Sequence, residues 1–159
     1  MADNENEYDH IVIGGGSSGC VAAARLVSEG GRRVLLLEAG HSHRHPLLDM
    51  PPGIFKLING SKYMTYHQTV PQPHLANRVH DIPQGNVLGG GSSVNAQCYI
   101  RGRPSDYDEW DRIARGSNDG ADWTWDTVLK HFTRMENNNR LQNHLHGVEG
   151  PLLVSDPGH

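Results

Sequence analysis

Two cysteines, Cys20 and Cys98, are all that the chain of 159 residues contains. They are too few for a disulfide framework. No apolar run approaches the ~20 residues needed to span a bilayer. Basic residues do not dominate either: 14 Lys and Arg stand against 18 Asp and Glu, for a formal charge of −4, with no basic run. That balance argues against a nucleic-acid surface. The N-terminal stretch carries Asp3, Glu5 and Glu7, the opposite of a secretory signal or transit peptide, so a cytoplasmic location is the expectation. Hydrophobic residues make up only 36%, whereas glycine and proline number 19 and 9. Such a composition predicts much loop, as in a chain that wraps around something. The length is enough for one domain with a core.

After a polar tail over 1–7, the stretch Tyr8–Gly40 reads strand, glycine turn, helix, strand, acid. His10–Ile13 is a short apolar run rich in β-branched residues. Gly14, Gly16 and Gly19 take the G-x-G-x-x-G spacing, Val21–Leu26 has helical character, and Arg33–Leu37 predicts a second, buried strand. Glu38 follows the last glycine by about twenty residues, as a dinucleotide-binding unit requires. Gly14 permits the tight turn, Gly16 lets a pyrophosphate approach the backbone, and Gly19 lets helix and strand pack closely. The helix N-terminus offers unpaired N–H groups and a partial positive charge. Glu38 can accept from a ribose diol and would repel a 2′-phosphate. These residues alone leave NAD and FAD equally open, and a purely structural turn is the alternative. Cys20 is expected to be a small packing residue.

From 41 to 84 the pattern is that of a loop or flap. His41, His43 and His45 alternate in a loop punctuated by Pro46, Pro51 and Pro52. Without a supporting Cys or acid cluster, no metal site is expected there. Tyr63–Val70 alternates and predicts a strand on the rim of the sheet. The prolines in 71–84 exclude a central strand, and a connection this long suits a flap over a ligand.

A second glycine cluster follows, Gly85–Asn95, with sequence GNVLGGGSSVN. Val87, Leu88 and Val94 are interleaved with the glycines, so the segment is expected to be buried. Its backbone N–H groups then need partners, and a cofactor is the candidate, with Ser92, Ser93 and Asn95 adding polar contacts. Arg103–Asp106 opens a helix with Tyr107, Trp110 and Ile113 at helical spacing. Gly116–Asp122 is a break. Thr124 or Asp126 caps a further helix whose Val128, Leu129, Phe132 and Met135 form an apolar face, and these aromatic and Met positions are expected in the core. Asn137–Gly150 reads as polar loop with His144 and His146 on the surface, and Gly150–Val154 ends in a short strand. The dinucleotide sheet wants at least a third strand, and none is evident before His159. The chain is therefore expected to be incomplete as a folding unit.

Taken together, these residues resemble the glucose–methanol–choline (GMC) family of flavin oxidoreductases. Asp9–Leu26 with Leu36–Gly40 resembles the family's N-terminal motif. The Gly85–Asn95 segment, extended by Tyr99, Gly102 and Asp108, resembles its signature. Asp106–Trp110, Phe132–Asn137 and His146–Leu152 resemble later family pieces. The resemblance implies an α/β fold, the N-terminal part of an FAD-binding Rossmann-like domain. Residues 8–40 would form the βαβ unit, 41–84 a flap, 85–150 the signature segment and helices, and 151–159 the start of a substrate-domain or connecting strand. It implies FAD held by Gly14, Gly16, Ser17, Ser18, Gly19, Glu38, Ala39, Leu88, Gly90, Gly91, Asn95, Ala96 and Cys98, with Ser17 and Ser18 at the pyrophosphate and Glu38 at the adenosine ribose. Some members tether the flavin through a histidine just before the signature asparagine. Val94 stands there, which implies non-covalent FAD. Gln84 stands where a basic residue is frequent.

The implied activity is oxidation of an alcohol, with hydride passing to the flavin. A family member that cleaves cyanohydrins and a non-catalytic FAD-binding subunit are the alternatives. The family's catalytic His pair lies near the C-terminus of a much longer chain, and none of the eleven histidines here matches its setting. The catalytic residues are expected outside these residues, on a second polypeptide of a split or cleaved enzyme. No nucleic acid and no membrane span enter this expectation.

Overall fold

His10 and the three apolar residues Ile11, Val12 and Ile13 form β1 (His10–Ile13), which pairs in parallel with β2 (Val34–Leu37), in the register His10↔Val34 to Ile13↔Leu37. The computed structural model describes residues 7–117, 120 and 122–156. The crossover between the strands is α1 (Ser17–Gly30), built on an Ala-rich run and closed by Gly31, whose left-handed backbone (φ 57°) sends the Gly31 and Arg32 amides back to the Val27 and Leu26 carbonyls. Strand periodicity puts Val12 toward α1 and Ile11 with Ile13 on the opposite face. That opposite face is bare: Ile13 is 85% exposed. The strands are therefore not buried as expected, because among the described residues this sheet has two strands and α1 covers one face only.

The chain divides into two compact units, Met1–Cys98 and Tyr99–His159. The first is centred on the second glycine segment rather than on the β1–β2 sheet. Val87 and Val94 pack with Leu57, Tyr63 and Met64, flanked by Leu47 and Leu48, and Val87 is 0% exposed.

Residues 41–84 carry more regular structure than a flap. α2 (Pro46–Asp49), a 3₁₀ turn over Pro51–Gly53 and α3 (Ile54–Leu57) follow one another directly. The prolines that suggested irregular chain start these turns, where a missing N–H costs nothing. His45 caps α2, its Nδ1 accepting from the Leu47 amide at 3.3 Å. β3 (Met64–Gln68) does form within Tyr63–Val70. It does not join the rim of the sheet; it pairs antiparallel with β4 (Asp81–Gly85) in a separate ribbon. Pro83 is tolerated because β4 is an edge strand.

The second unit holds α4 (Pro104–Ser117) and α5 (Trp125–Met135), with β5 (Glu136–Asn138) parallel to β6 (Leu152–Val154). Part of the expected Gly116–Asp122 break lies outside the described residues. Tyr107 sits among Trp110, Trp125 and Phe132, with ring centroids 5.5–5.9 Å apart. These rings touch without forming a closed core, since Trp110, Ile113 and Met135 all remain exposed. Among the described residues of this unit, three of the four that are buried are polar: Asp111, Glu136 and Asn138, beside Ala114. Glu136 is fully buried. It pairs with Arg101 and takes hydrogen bonds from Asn138 Nδ2 at 2.8 Å and, with its ring nitrogen protonated, His146 Nδ1 at 2.9 Å. His146 is thus a half-buried partner and not a surface residue, because a buried carboxylate needs compensating donors.

Candidate functional site

The glycine turn after β1 is shaped by contacts that leave no room for side chains. Gly14 has φ 96°, a conformation that favours glycine. A Cβ on Gly19 would overlap the Gly14 carbonyl oxygen, which fixes α1 tightly against the turn. Gly16, the N-cap of α1, meets nothing within 4 Å of an added Cβ. No side chain caps α1 and no acid stands in its first turn. The helix dipole and first N–H groups therefore face open space beside Gly16, a place suited to an anion.

Glu38 is bound back onto this turn. Its two carboxylate oxygens accept from the Gly15 amide at 2.5 Å and the Gly40 amide at 2.7 Å. The turn and the acid thus form one unit, and each oxygen retains acceptor capacity for a further donor such as a ribose hydroxyl.

The second glycine segment closes onto the first. The Gly89 amide donates to the Gly15 carbonyl at 2.6 Å, and the Cys20 thiol donates to the same oxygen at 3.2 Å. Cys20 therefore does more than fill space. A Cβ on Gly90 would come to 2.9 Å from Gly16 Cα. Just past Glu38, His41 bridges Val87 in parallel, with His41 N–H donating to the Asn86 carbonyl and Leu88 N–H to the His41 carbonyl.

These bonds revise the expectation that a cofactor satisfies the amides of the second glycine segment. The Gly89, Gly90, Ser92 and Val94 amides all have protein acceptors. The Ser92 and Ser93 hydroxyls are also committed, to the Gly89 and Leu88 carbonyls. The open positions are elsewhere: Gly91 has nothing within 4 Å of an added Cβ, and Asn95 borders a cavity of about 410 Å³ lined also by Ile54, Ile58, Met64, Gln84 and Val94.

Gly14, Gly16, Gly19, Glu38, Leu88 and Gly90 are thus brought to one place, with Ala39 beside Glu38. Ser17 and Ser18 lie exposed in the first turn of α1. Gly91 lies exposed within the 3₁₀ turn Gly90–Ser93, and Asn95, Ala96 and Cys98 continue along the exposed run beyond it. Gly15, Gly40, Gly89 and Cys20 complete the contact and were not picked out from sequence. The three consecutive glycines at 14–16 and again at 89–91 are the only local sign of it.

Among the described residues no group of three His, Cys, Asp or Glu side chains is placed to hold a metal, and no helix is long and apolar enough to cross a membrane. The arrangement fits an extended dinucleotide. An uncapped helix start suits its pyrophosphate, an acid fixed at the second strand suits its ribose, and an uncharged cavity beside the second segment suits a ring.

Known proteins are similar to this chain along nearly its whole length. A 43% identical relative over 150 residues is an alcohol dehydrogenase [acceptor] of Pseudomonas putida; the match covers 94% of this chain and 26% of the relative. The pyridoxine 4-oxidase from Mesorbium loti superposes with a TM-score of 0.82 at 34% identity, covering 96% of this chain and 29% of that one. A formate oxidase from Aspergillus oryzae RIB40, studied for its FAD modification, gives 0.80 at 27% identity over 97% of this chain and 27% of its own. The chain spans about a quarter of the length of the curated relative it matches. FAD is the cofactor to which the family and the formate oxidase neighbour point. The profile described as GMC oxidoreductase matches residues 8–158, and the chain belongs to that family as an N-terminal, FAD-binding part of its α/β fold.

Proposed function

We propose that this chain is the FAD-binding portion of an oxidoreductase that oxidises an alcohol, with FAD bound non-covalently and the catalytic histidine pair on polypeptide beyond these residues. The interlock of the two glycine segments, with Glu38 tied to the first of them, carries this reading. Bound FAD would supply the hydride acceptor. The residues of this chain bind and orient it. Glu38 accepts from the adenosine ribose, and the start of α1, with Ser17 and Ser18, faces the pyrophosphate. Gly91, Asn95, Ala96 and Cys98 line the run toward the ring. Val94 is buried in the core and has no nucleophilic atom, which favours a non-covalent flavin. The alcohol class rests on the Pseudomonas putida relative.

The test is anaerobic mixing of the purified flavoprotein with a panel of primary alcohols. Bleaching of the flavin absorbance is the expected result, and an unchanged spectrum across the panel defeats the oxidation reading. Intact mass under denaturing conditions checks the rest. The expected spectrum shows this chain without added FAD, together with a second polypeptide.

A further inference from the structure

Of the eleven asparagines in the chain, only Asn59 precedes a glycine. Glycine has no side chain to hinder attack by its own backbone nitrogen, so this dipeptide is where an asparagine side chain most readily reacts with the chain. The pair lies just past α3, and both residues are exposed. Gly60 has φ 100°, and an added Cβ there would meet nothing within 4 Å, so the turn is open to water.

Two hydrogen bonds hold the reacting groups apart. The Phe55 carbonyl lies 2.7 Å from the Asn59 side-chain nitrogen. A carbonyl only accepts, so the facing atom is the NH₂, and the Asn59 side chain is folded back along α3. The Gly60 N–H donates to the Tyr66 hydroxyl at 2.9 Å, and that hydroxyl donates in turn to the Ile58 carbonyl at 2.8 Å. Tyr66, on β3, thus clasps the chain on both sides of Asn59. The nitrogen that would attack is held by a side chain from outside the turn.

We propose that Asn59–Gly60 is a site of spontaneous deamidation, restrained in the folded protein by the Tyr66 hydroxyl. When the two bonds open together, the Gly60 nitrogen gives its proton to solvent and bonds to Asn59 Cγ. The Cγ–Nδ2 bond breaks and ammonia leaves, taking a proton back from solvent. Water then opens the cyclic imide at either carbonyl and leaves aspartate or isoaspartate at position 59. The balance exchanges ammonia for water and needs no oxidant or metal. The product adds a negative charge, and the isoaspartyl form adds a methylene to the main chain ahead of Gly60. Gly60 then no longer meets Tyr66 in register, and Ile58, which borders the larger cavity, loses its clasp. The inference stands whether or not that cavity holds a flavin ring.

The experiment incubates the protein, with its full complement of polypeptide, in mildly alkaline buffer and maps the peptide that contains residue 59. Mass reports loss of the amide, and chromatography separates aspartate from isoaspartate. The folded parent is compared with Tyr66→Phe, which keeps the ring and removes the hydroxyl, and with the parent unfolded in guanidinium chloride. The expected result is slow conversion at Asn59 in the folded parent, about fivefold faster conversion in folded Tyr66→Phe, and faster still in the unfolded chain. Asn77 and Asn143, exposed but followed by Arg78 and His144, should lag behind Asn59 in the unfolded chain. A folded Tyr66→Phe protein no faster than the parent overturns the restraint. An Asn59 no faster than Asn77 and Asn143 in the unfolded chain overturns the site. Amide hydrogen exchange at Gly60 of the parent reads the restraint without any substitution: slow exchange is expected, and exchange at the rate of an unstructured amide overturns it.

Discussion

The Gly89 amide donates to the Gly15 carbonyl at 2.6 Å, joining two glycine segments that lie far apart in the chain. Gly15 is the centre of this junction. Its N–H is held by Glu38 and its carbonyl takes both Gly89 N–H and the Cys20 thiol. The acid, the turn and the second segment are therefore mechanically coupled. Displacing one moves the atoms that face an extended ligand.

Gly90→Ala tests the junction by packing. Gly90 has φ 56°, and its Cβ would lie 2.9 Å from Gly16 Cα, a backbone atom that cannot swing away. Left-handed strain and overpacking together predict a loss of about 2–3 kcal/mol. Thermal or urea unfolding of the ligand-free protein measures it. Unchanged stability would mean that the two segments separate freely.

Gly16→Ala tests ligand clearance without that packing cost. Nothing lies within 4 Å of its added Cβ, and its φ of −75° suits any residue. Ligand-free stability should stay within about 0.5 kcal/mol of the parent. FAD affinity should nevertheless fall by about tenfold or more, because the methyl group occupies the space where the pyrophosphate approaches. Equal FAD affinity in a flavin titration would move the pyrophosphate away from Gly16.

The first glycine unit was legible because its signals are local. Strand limits, the spacing of Gly14, Gly16 and Gly19, and the position of Glu38 all follow from short-range geometry. The Gly89–Gly15 bond was not legible, since no periodicity links segments so distant, and the sequence alone suggested a ligand for amides that the protein itself satisfies. Pro46, Pro51 and Pro52 misled in another way: proline breaks a helix interior but starts a helix well. His146 was misplaced because its burial depends on a tertiary partner, Glu136, whose own burial runs against the usual preference of a carboxylate.

Ala76→Gly is predicted to stabilise the turn that joins β3 to β4. Ala76 holds φ 56° and ψ 40° at the end of the 3₁₀ turn Pro73–Leu75, and Asn77 beside it is also left-handed. Asparagine tolerates that region, whereas alanine carries its Cβ penalty without compensation. Relief of the penalty, reduced by the greater unfolded-state freedom of glycine, leaves a gain of about 0.5 kcal/mol. Denaturant midpoints of the two proteins give the sign directly, and a loss of stability would place Ala76 outside the left-handed region.

Glu136 sets the acid limit of the second unit. Burial acts to raise its pKa, but hydrogen bonds from Asn138 and His146 and the charge of Arg101 outweigh burial and hold the carboxyl below its ordinary 4.5. A folded-state pKa below the unfolded one contributes stability that is present above the unfolded value and lost as pH falls through the folded one. The second unit should therefore be stable at neutral pH and weaken progressively below about pH 4.5. All three tryptophans, Trp110, Trp123 and Trp125, lie in this unit, so intrinsic fluorescence follows it selectively. Glu136→Gln removes the titrating group and leaves Arg101 without its buried counter-charge, which predicts a loss of about 3 kcal/mol at neutral pH. The same substitution should flatten the acid limb of the fluorescence-detected stability. An acid limb as steep in Glu136→Gln as in the parent would assign the titration to a group other than Glu136.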